Sequence, residues 1–265
     1  MATVGVREPR VAAVLTAAGS GSRLGFGIPK ALVELVEGDP HTCLLVLAAR
    51  RLAAVTGLRA LVVTAPADQV STFTELLAAL NLPVSWLVVA GSVTRQASVA
   101  AGLAALTAMP GVQAHHFDAA LVHDAARALA PTDMMNEVVA AVLRGANAVI
   151  PALAVTDTIK VVAEQPSGAV VVIGATERSA LRAVQTPQGF AWATLLKAHG
   201  SAAHLASQEA TAATDDSSMA QWIGEQVYVV PGSARALKIT TPADLAQARN
   251  LLITEASTTG PEATV

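Results

Sequence analysis

Residues 11–30 read VAAVLTAAGSGSRLGFGIPK, and this stretch decides how the rest of the chain is interpreted. The apolar run at 11–15 predicts a short buried strand, which breaks into a loop of small residues at 17–22. Glycines after a strand allow backbone N–H groups to approach a bound anion closely. Arg23 and Lys30 follow the loop, and their side chains could neutralise a chain of phosphates. The pattern therefore predicts a loop that binds the triphosphate of a nucleotide.

The loop matches neither of the two common phosphate-binding fingerprints. It contains no G-x-x-x-x-G-K-[ST], and G-S-G-S-R-L departs from G-x-G-x-x-G at its sixth position. A turn of Gly and Ser after a strand is often a plain connection, so the loop alone leaves both interpretations open. A secretory signal is a third interpretation, but the apolar stretch after Arg10 is rich in Ala and Thr and too weakly hydrophobic for one.

Composition and charge exclude several classes of function. The chain has 265 residues, of which 53% are hydrophobic, yet it contains no unbroken apolar run long enough to span a membrane. A net charge of −3 and an aromatic content of 3% argue against nucleic acid as a partner. The single cysteine, Cys43, rules out an internal disulfide and a cysteine metal cluster, and it is compatible with a cytoplasmic location. We therefore expect neither a membrane nor a nucleic-acid partner.

Strand and helix patterns alternate along the chain, which predicts an α/β fold. Buried strands are predicted at 11–15, 58–64, 84–89, 119–123, 148–154 and 226–230. One helix is predicted to run through residue 106, and the others are predicted at 42–55, 66–80, 132–144, 191–199, 216–222 and 242–252. Such alternation is typical of three layers, with a mainly parallel sheet between helices.

The alternation breaks between residues 151 and 188. Short β-like pieces at 158–162 and 169–173 are joined by a Pro-Ser-Gly turn, with no amphipathic helix between them. This predicts an inserted hairpin or arm that is too small to form a core of its own. Either it packs on a partner subunit or it is a surface decoration. Residues 254–265 lack periodicity, which predicts a mobile tail.

Four polar clusters follow predicted strands, at 17–30, 91–98, 123–127 and 232–238. Ligands of open α/β sheets bind beyond the carboxyl ends of the strands, so we expect these clusters to meet at one rim. In a chain with 17 Lys and Arg, five cations in these clusters favour a phosphate-rich ligand: Arg23, Lys30, Arg95, Arg127 and Lys238. Each cation alone could equally be a solvated surface residue.

Polar residues in and near these clusters have structural as well as functional interpretations. Asp124 could hold Mg²⁺ or a hydroxyl group, or it could cap the next turn. His123 is expected to pack or to hydrogen-bond rather than to catalyse. Thr214 or Asp215 is expected to cap a helix that starts at residue 216. The sequence has no nucleophile elbow in a Ser–His–Asp order and no H-E-x-x-H, which leaves little support for a hydrolase.

Several motifs follow one another along the chain: A-A-G-S-G-S-R-L with P-K, G-x-x-x-R-Q-A-S-V, V-H-D-A-A-R, D-T-I-K, Q-T-P-Q-G-F, T-D-D-S-S and A-L-K-I-T-T-P-A-D-L. In this order they resemble the 2-C-methyl-D-erythritol 4-phosphate cytidylyltransferase family of the non-mevalonate isoprenoid pathway. The resemblance implies a Rossmann-like nucleotidyltransferase domain with an inserted β-arm. It also implies transfer of CMP from CTP to the phosphate of methylerythritol phosphate, with release of pyrophosphate.

The resemblance further implies roles for individual residues. Four cations are implied to be catalytic, the first two by stabilising the transition state and the last two by placing the acceptor: Arg23, Lys30, Arg178 and Lys238. The residues implied to contact the acceptor are Asp124, Arg127, Thr158 and Thr214. The residues implied to form the CTP pocket are Ala17, Ala18, Gly19, Ser20, Gly21, Ser22, Gly91, Arg95 and Ser98. Mg²⁺ is implied as a cofactor bound mainly through the CTP phosphates, with no protein ligand assigned.

The same resemblance implies the organisation of the chain. Residues 10–252 are expected to form one domain, and residues 1–9 and 253–265 are expected to be flexible termini. The family is a homodimer whose arm, at about 151–185 here, reaches across to the partner's site. A cytoplasmic homodimer is therefore expected.

The chain departs from the family pattern at three places. A proline is usual at the position of Thr16, a polar residue is usual at Val93, and segment 36–43 fits poorly. Two other functions remain open. One is a related nucleotidyltransferase that uses another sugar or alditol phosphate, such as ribitol 5-phosphate, and the other is a non-catalytic nucleotide-binding module. Retention of both Arg23 and Lys30 argues against the second, since binding alone could survive the loss of one cation.

Overall fold

The central sheet is built around the first strand of the domain. The computed structural model describes residues 7–19, 24–110, 112 and 117–258, apart from the side chains of residues 256 and 258. Strand β1 (Val11–Thr16) pairs in parallel with β2 (Leu58–Ala65), and β2 pairs in parallel with β3 (Ser85–Ala90). On its other side β1 pairs in parallel with β4 (Ala119–Asp124). These four strands confirm the predicted parallel core.

The other half of the sheet contains two strands that the sequence pattern does not predict. Beyond β4, the sheet continues with β5 (Ala148–Ala154) and ends with β10 (Val227–Pro231), which is parallel to β5. Between β4 and β5 lies β9 (Gln188–Ala191), antiparallel to both, and β8 (Arg182–Val184) pairs antiparallel with the end of β5. Both strands are short and lack an apolar run, so they give no strand signal. The sheet remains mainly parallel, as predicted.

Helices cover both faces of the sheet and make the predicted three layers. Their bounds are α1 (Leu44–Ala53), α2 (Val70–Ala78), α3 (Arg95–Ala108), α4 (Thr132–Leu143), α5 (Trp192–Ser201), α6 (Asp216–Trp222) and α7 (Pro242–Thr258). Alternate side chains of a strand point to opposite faces. Accordingly, Leu15 packs in a cluster with residues of α1, α2 and α4, whereas Val14 packs with residues of α3 and α5. Among the helices of the described residues, none is both long and apolar enough to cross a membrane.

The described parts of both termini make contacts with the domain. Helix α7 continues to Thr258, whereas the sequence pattern predicts its end at residue 252. Near this end, the Glu255 carboxylate pairs with the Arg235 guanidinium at 2.5 Å. At the other terminus, Arg7 pairs with Asp118. Residues 253–258 are therefore helical, although the sequence gives them no periodic pattern.

The arm is a hairpin that stands apart from the main sheet. Strands β6 (Lys160–Glu164) and β7 (Val170–Ala175) form an antiparallel pair of their own, which confirms the predicted insertion. Large apolar side chains along both strands are between 43% and 64% exposed: Val161, Val162, Val170, Val172 and Ile173. A two-stranded sheet cannot bury such a surface by itself. In the described part of a single chain, the arm therefore presents an apolar surface to solvent.

Helix α3 packs on the sheet at a glycine. A Cβ atom on Gly102 would lie 2.6 Å from Val14 Cγ1 and 3.4 Å from Thr64 Cγ2. Val14 and Thr64 are fully buried, and close-packed interiors give little room for such side chains to move. Gly200 in α5 differs, because a Cβ there would meet no atom within 4 Å.

Strand β4 carries a fully buried histidine next to its last residue. His123 Nδ1 lies 2.9 Å from Thr186 Oγ1, and the same hydroxyl oxygen accepts a hydrogen bond from the backbone N–H of Asp124. Burial lowers the pKa of His123 to about 4, because the imidazolium ion would lose its hydration, and the nearby charge of Asp124 opposes this only in part. His123 therefore packs and hydrogen-bonds as a neutral ring, as predicted from the sequence.

We expect Gly102→Ala to destabilise the protein. Alanine favours a helix over glycine by about 1 kcal/mol, but overpacking a core costs about 1–3 kcal/mol, so the balance should be a loss. Gly200→Ala is the matched control, since the same substitution in α5 meets open space and should show only the helical gain. Urea unfolding of both variants measures the difference. Equal stabilities would contradict the close packing of α3 on β1.

A second prediction concerns stability in acid. An unfolded histidine titrates near pH 6.5 and His123 in the fold near pH 4, so between these values the unfolded chain alone takes up the proton. Stability must then fall as the pH drops. From pH 7 to pH 5, the wild type should lose about 2 kcal/mol more than His123→Asn, which keeps a polar group near Nδ1 without titrating.

Urea unfolding at the two pH values measures this difference in the free energy of unfolding. His204→Asn is the control, because His204 is exposed. That variant should follow the wild type. The same pH dependence in the wild type and in His123→Asn would show that the ring is not held neutral by burial.

Candidate active site

A cavity opens at the carboxyl edge of the sheet, where β1, β3 and β4 end. Its volume is about 500 Å³, which lies within the range of small-molecule sites. The loop after β1, the turn between β3 and α3, the turn after β4 and the segment around Lys238 line it. Among the lining residues are eight of the site residues that the sequence predicts: Ala17, Ala18, Gly19, Lys30, Arg95, Ser98, Asp124 and Lys238. The polar clusters therefore meet at one rim, as expected.

The turn after β3 requires a glycine. A Cβ atom on Gly91 would lie 2.5 Å from the Cβ of Ala18, so a larger residue would push the turn away from the small-residue loop. Ser98 Oγ accepts a hydrogen bond from the N–H of Ser92 at 2.9 Å and donates to the carbonyl oxygen of Thr94 at 2.9 Å. Gly91 and Ser98 thus shape this wall of the cavity.

Asp124 is the charged centre of the cavity. Arg95 Nε lies 3.0 Å from carboxylate oxygen Oδ1, and Lys238 Nζ lies 2.8 Å from Oδ2. The Thr16 hydroxyl lies 3.2 Å from Oδ1. Burial alone would raise the pKa of Asp124, but the charges of Arg95 and Lys238 outweigh it and hold that pKa far below its ordinary value. Asp124 therefore stays ionised, and its carboxylate is held from both sides.

Arg95 bridges two carboxylates. Besides its contact with Asp124, its Nη1 lies 2.7 Å from Asp216 Oδ2. Burial would lower the pKa of Arg95, but the charges of Asp216 and Asp124 raise it above its ordinary value. Arg95, which the family resemblance places in the CTP pocket, thus lines the cavity while it is bonded to two anions. Lys30 lies in a 3₁₀ turn, Lys30–Leu32, and lines the same cavity.

Arg127 and Thr214 are not part of the cavity lining. Arg127 Nη1 donates to the carbonyl oxygen of Ala236 at 2.7 Å, and its Nη2 donates to that of Val184 at 3.1 Å. In this structure the Arg127 guanidinium therefore braces two backbone segments. Thr214 is exposed, two residues before α6. The helix cap is Asp215, whose carboxylate accepts from the N–H of Ser218, so the second of the two predicted caps is the one found.

Thr158 and Arg178 lie at the foot of the arm, and neither lines the cavity in this chain. Arg178 Nη1 donates to the carbonyl oxygen of Thr156 at 2.6 Å. Arg178 lines a second surface pocket together with Arg182 and Glu177. The two arginines make this pocket basic. The remaining predicted site residues, Ser20, Gly21, Ser22 and Arg23, lie outside the described residues.

The cavity and its surroundings also include residues that the sequence does not reveal. Glu209 lines the cavity from a loop that the Thr94 hydroxyl holds by donating to the carbonyl oxygen of Ala206 at 2.7 Å. This Ala-rich segment has neither a motif nor a periodic pattern, so nothing in the sequence places it beside the cavity. Asp216 is predicted as the start of a helix, and its place behind Arg95 follows from how that helix packs.

The arrangement suits a polyanion. Small residues at 17–19 leave room beside the cavity wall, and Lys30 and Lys238 bring positive charge to it. The Asp124 carboxylate would repel an anion, but it also fixes the Lys238 ammonium and the Arg95 guanidinium in place. Cations that are held in advance can stabilise charge that develops during a reaction without reorganising.

Comparisons with known proteins agree along nearly the whole chain. The family model described as IspD, 2-C-methyl-D-erythritol 4-phosphate cytidylyltransferase, matches residues 11–254. A protein of that enzyme name from Streptomyces coelicolor is 45% identical over 251 residues, which cover 93% of this chain and 86% of the relative. One from Rhodococcus jostii is 43% identical over 242 residues, which cover 91% and 95%.

Solved structures agree as well. The crystal structure of 2-C-methyl-D-erythritol 4-phosphate cytidylyltransferase from Thermus thermophilus superposes with a TM-score of 0.63 at 30% identity, over 91% of this chain and 98% of that one. The 4-diphosphocytidyl-2C-methyl-D-erythritol synthase from Anaerococcus prevotii gives a TM-score of 0.72 at 26% identity, over 92% and 99%. Since the family model and the relatives span the sheet, the arm and the cavity together, this chain belongs to the 2-C-methyl-D-erythritol 4-phosphate cytidylyltransferase family.

Proposed function

We propose that the cavity at the carboxyl edge of the sheet is where this chain performs the reaction of its family. The chain is a nucleotidyltransferase that transfers CMP from CTP to 2-C-methyl-D-erythritol 4-phosphate, giving 4-diphosphocytidyl-2-C-methyl-D-erythritol and pyrophosphate. The observation that carries the proposed location is that the loop 17–19, Lys30, Lys238 and Asp124 line one cavity.

The reaction needs no general base from the protein. The second pKa of a phosphate monoester is about 6, so the acceptor phosphate is largely dianionic near pH 7 and its oxygen is already a nucleophile. This oxygen attacks the α-phosphorus of CTP, and the bond to the pyrophosphate oxygen breaks. Two anions must meet, and negative charge grows on the α-phosphate and on the leaving group. Positioning and fixed cations should therefore supply most of the rate.

The cavity residues have distinct proposed roles in this scheme. Lys30 stabilises the transition state, together with Arg23, for which the support is the family resemblance. Lys238 faces the acceptor phosphate, and the contact of 2.8 Å with Asp124 keeps its ammonium in place. The backbone of 17–19, with Gly91, Arg95 and Ser98, forms the CTP side, to which the family resemblance adds residues 20–22. The fixed position of Lys238 matters because its charge has to act where the new bond forms.

Mg²⁺ is proposed as a cofactor that arrives with the nucleotide. Within the residues that the structure describes, no group of three or more His, Cys, Asp or Glu side chains is arranged to hold a metal ion. The Asp124 carboxylate is already engaged by Arg95 and Lys238. This donor set fits an ion held mainly by phosphate oxygens and water, as Mg²⁺ often is. When bound, the ion would neutralise charge on the phosphates.

The acceptor side is proposed to be completed by a second copy of the chain. Thr158 and Arg178, which the family resemblance assigns to the acceptor, lie at the foot of the arm and outside the cavity lining of their own chain. The arm also exposes the apolar side chains of β6 and β7. A homodimer in which the arm of one chain packs on the other would cover this surface and bring Arg178 to the partner's cavity.

The comparisons support neither a transferase for ribitol 5-phosphate nor a non-catalytic nucleotide-binding module, the two alternatives left by the sequence. A cytoplasmic location is proposed because Cys43 is a buried free thiol, which suits a reducing compartment.

Pyrophosphate release from CTP with Mg²⁺ tests the function directly. Methylerythritol phosphate and ribitol 5-phosphate are supplied in parallel as acceptors. We expect release with the first and little above background with the second, because the first is the acceptor of the family to which the chain belongs. Release with ribitol 5-phosphate instead would keep the mechanism and overturn the substrate. CTP binding without release would favour the non-catalytic module.

Complementation between two variants tests the proposed arrangement of the subunits. Lys30→Ala should lower kcat on the order of 100-fold, since it removes a cation used in the transition state. Arg178→Ala should raise the KM for the acceptor and leave CTP binding intact. If the arm acts across the dimer, a mixed dimer of the two variants contains one intact site.

Co-expression of the two chains with different tags yields the mixed dimer. At low acceptor concentration, random pairing should restore about a quarter of the wild-type sites. Two co-expressed Lys30→Ala chains are the negative control. Lys197→Ala and Arg144→Ala, two exposed cations outside the cavity lining, should leave each parameter unchanged. Absence of recovery in a confirmed mixed dimer would place Arg178 in the site of its own chain.

A further inference from the structure

A second acidic residue lies behind Arg95, and neither the family resemblance nor the proposed reaction gives it a role. Asp216 is fully buried at the start of α6. Its Oδ2 lies 2.7 Å from Arg95 Nη1, and its Oδ1 lies 2.9 Å from His199 Nε2. A buried carboxylate that kept one of these partners and lost the other would be costly, so both contacts matter to its charge.

The backbone around Asp216 is fixed to the sheet. Gln188 Oε1 accepts hydrogen bonds from the N–H groups of Asp216 at 3.1 Å and of Ser217 at 2.9 Å. Gln188 belongs to β9 and pairs with Val122 of β4, two residues before Asp124. Both carboxylates that hold Arg95 are therefore positioned by the paired strands β4 and β9, and this pairing sets the distance between them.

The Arg95 guanidinium is held in one orientation by these two carboxylates. Its Nε faces Asp124 and its Nη1 faces Asp216, while its buried Nη2 has no hydrogen-bond partner among the described residues. The planar guanidinium group has rigid donor directions, so rotation toward another ligand would break both contacts. Arg95 is thus tethered in place before any substrate binds.

His199 acts as a donor to Asp216. Its Nδ1 is buried and has no partner among the described residues. A buried N–H without an acceptor costs more than a buried lone pair without a donor, so the ring hydrogen of the neutral form belongs on Nε2, which faces Asp216. His199 therefore supports the carboxylate from the side opposite Arg95.

Asp124 and Asp216 carry two negative charges, and Arg95 and Lys238 carry two positive ones, so the charges of these four side chains cancel. Without Asp216, these side chains would gain a net positive charge, and Arg95 would lose one of the two contacts that fix its orientation. We infer that Asp216 is a positioning residue for the reaction: it holds Arg95 so that Nε orients the Asp124 carboxylate, which in turn holds Lys238.

This inference rests on the proposed role of Asp124 and Lys238 at the acceptor. It predicts that loss of Asp216 changes kcat and the KM for the acceptor but does not raise the KM for CTP. In steady-state assays with methylerythritol phosphate, Asp216→Asn should raise the KM for the acceptor and lower kcat by about tenfold each. The KM for CTP should stay within about twofold of the wild type or fall, since Arg95 keeps its charge on the CTP side and the loss of a negative charge beside it favours a polyanion. Parallel changes in both KM values would overturn the inference.

Asp215→Asn is the matched control. Asp215 caps the same helix through Ser218 and contacts Gln188, but the structure gives it no contact with Arg95. This variant should lower the melting temperature, as Asp216→Asn should, and leave the ratio of the two KM values unchanged. The same kinetic division in Asp215→Asn would mean that Asp216 acts through the stability of α6 alone.

A second pair of variants keeps the test decisive if Asp216→Asn does not fold. His199→Leu removes the donor to Asp216 and should shift the acceptor KM in the same direction by a smaller factor, whereas His199→Gln keeps an N–H near the Nε2 position and should restore it. Equal kinetics of the two His199 variants would count against the inference that Asp216 holds Arg95 in place.

A double-mutant cycle separates failure of the tether from failure of the proposed site. If Asp216 acts through Arg95, Asp216→Asn should have no further effect on the acceptor KM in an Arg95→Met background, and independent effects would overturn the inference. Asp124→Asn should itself raise that KM. If it does not, the acceptor role of Asp124 is wrong, and the tether is then judged by the same cycle measured on urea unfolding, where additive effects would overturn it.

Discussion

Burial of β1 on both faces is the constraint on which the rest of the structure depends. A strand covered on both sides must be apolar along its whole length, and its neighbours must supply matching surfaces. Val11 to Leu15 satisfy this requirement, and the parallel register places Thr16 beside Thr64 of β2 and Asp124 of β4. Polar residues of three neighbouring strands thus coincide at one level, and the cavity opens there.

The cavity pairs its charges before it binds anything. In the proposed site for polyanions, Asp124 is an acidic group that weakens binding by repulsion. Its contacts with Arg95 and Lys238 show the compensating benefit, because a cation held in place need not be ordered during the reaction. In the proposed site, part of the attraction for the substrate is given up, and the cations proposed to act in the transition state are held in place in return.

The sequence predicts those features that arise from local pattern. Strand β1 is an apolar run, and the helices on both faces have apolar residues at helical spacing, so these elements could be predicted. Lys30, Asp124 and Lys238 lie in motifs at or after the ends of predicted strands, so their meeting at one rim could be predicted as well. Strand β9 could not, since four residues containing Gln188 and Gly189 owe their conformation to the neighbours β4 and β5. Asp216 shows the same limit: the helix it begins could be predicted, whereas its contact with Arg95 depends on tertiary packing.

The pairing of β5 with β8 has a consequence for how the chain could change over evolution. Ala154 of β5 lies opposite Arg182 of β8, so residues 155–181 leave the sheet and return to it at the same point. The entropy of closing a loop grows slowly with its length. An excursion rooted in this way can lengthen, shorten or be exchanged while the strands beneath it keep their register. The arm can therefore change while the strands that line the cavity keep their positions.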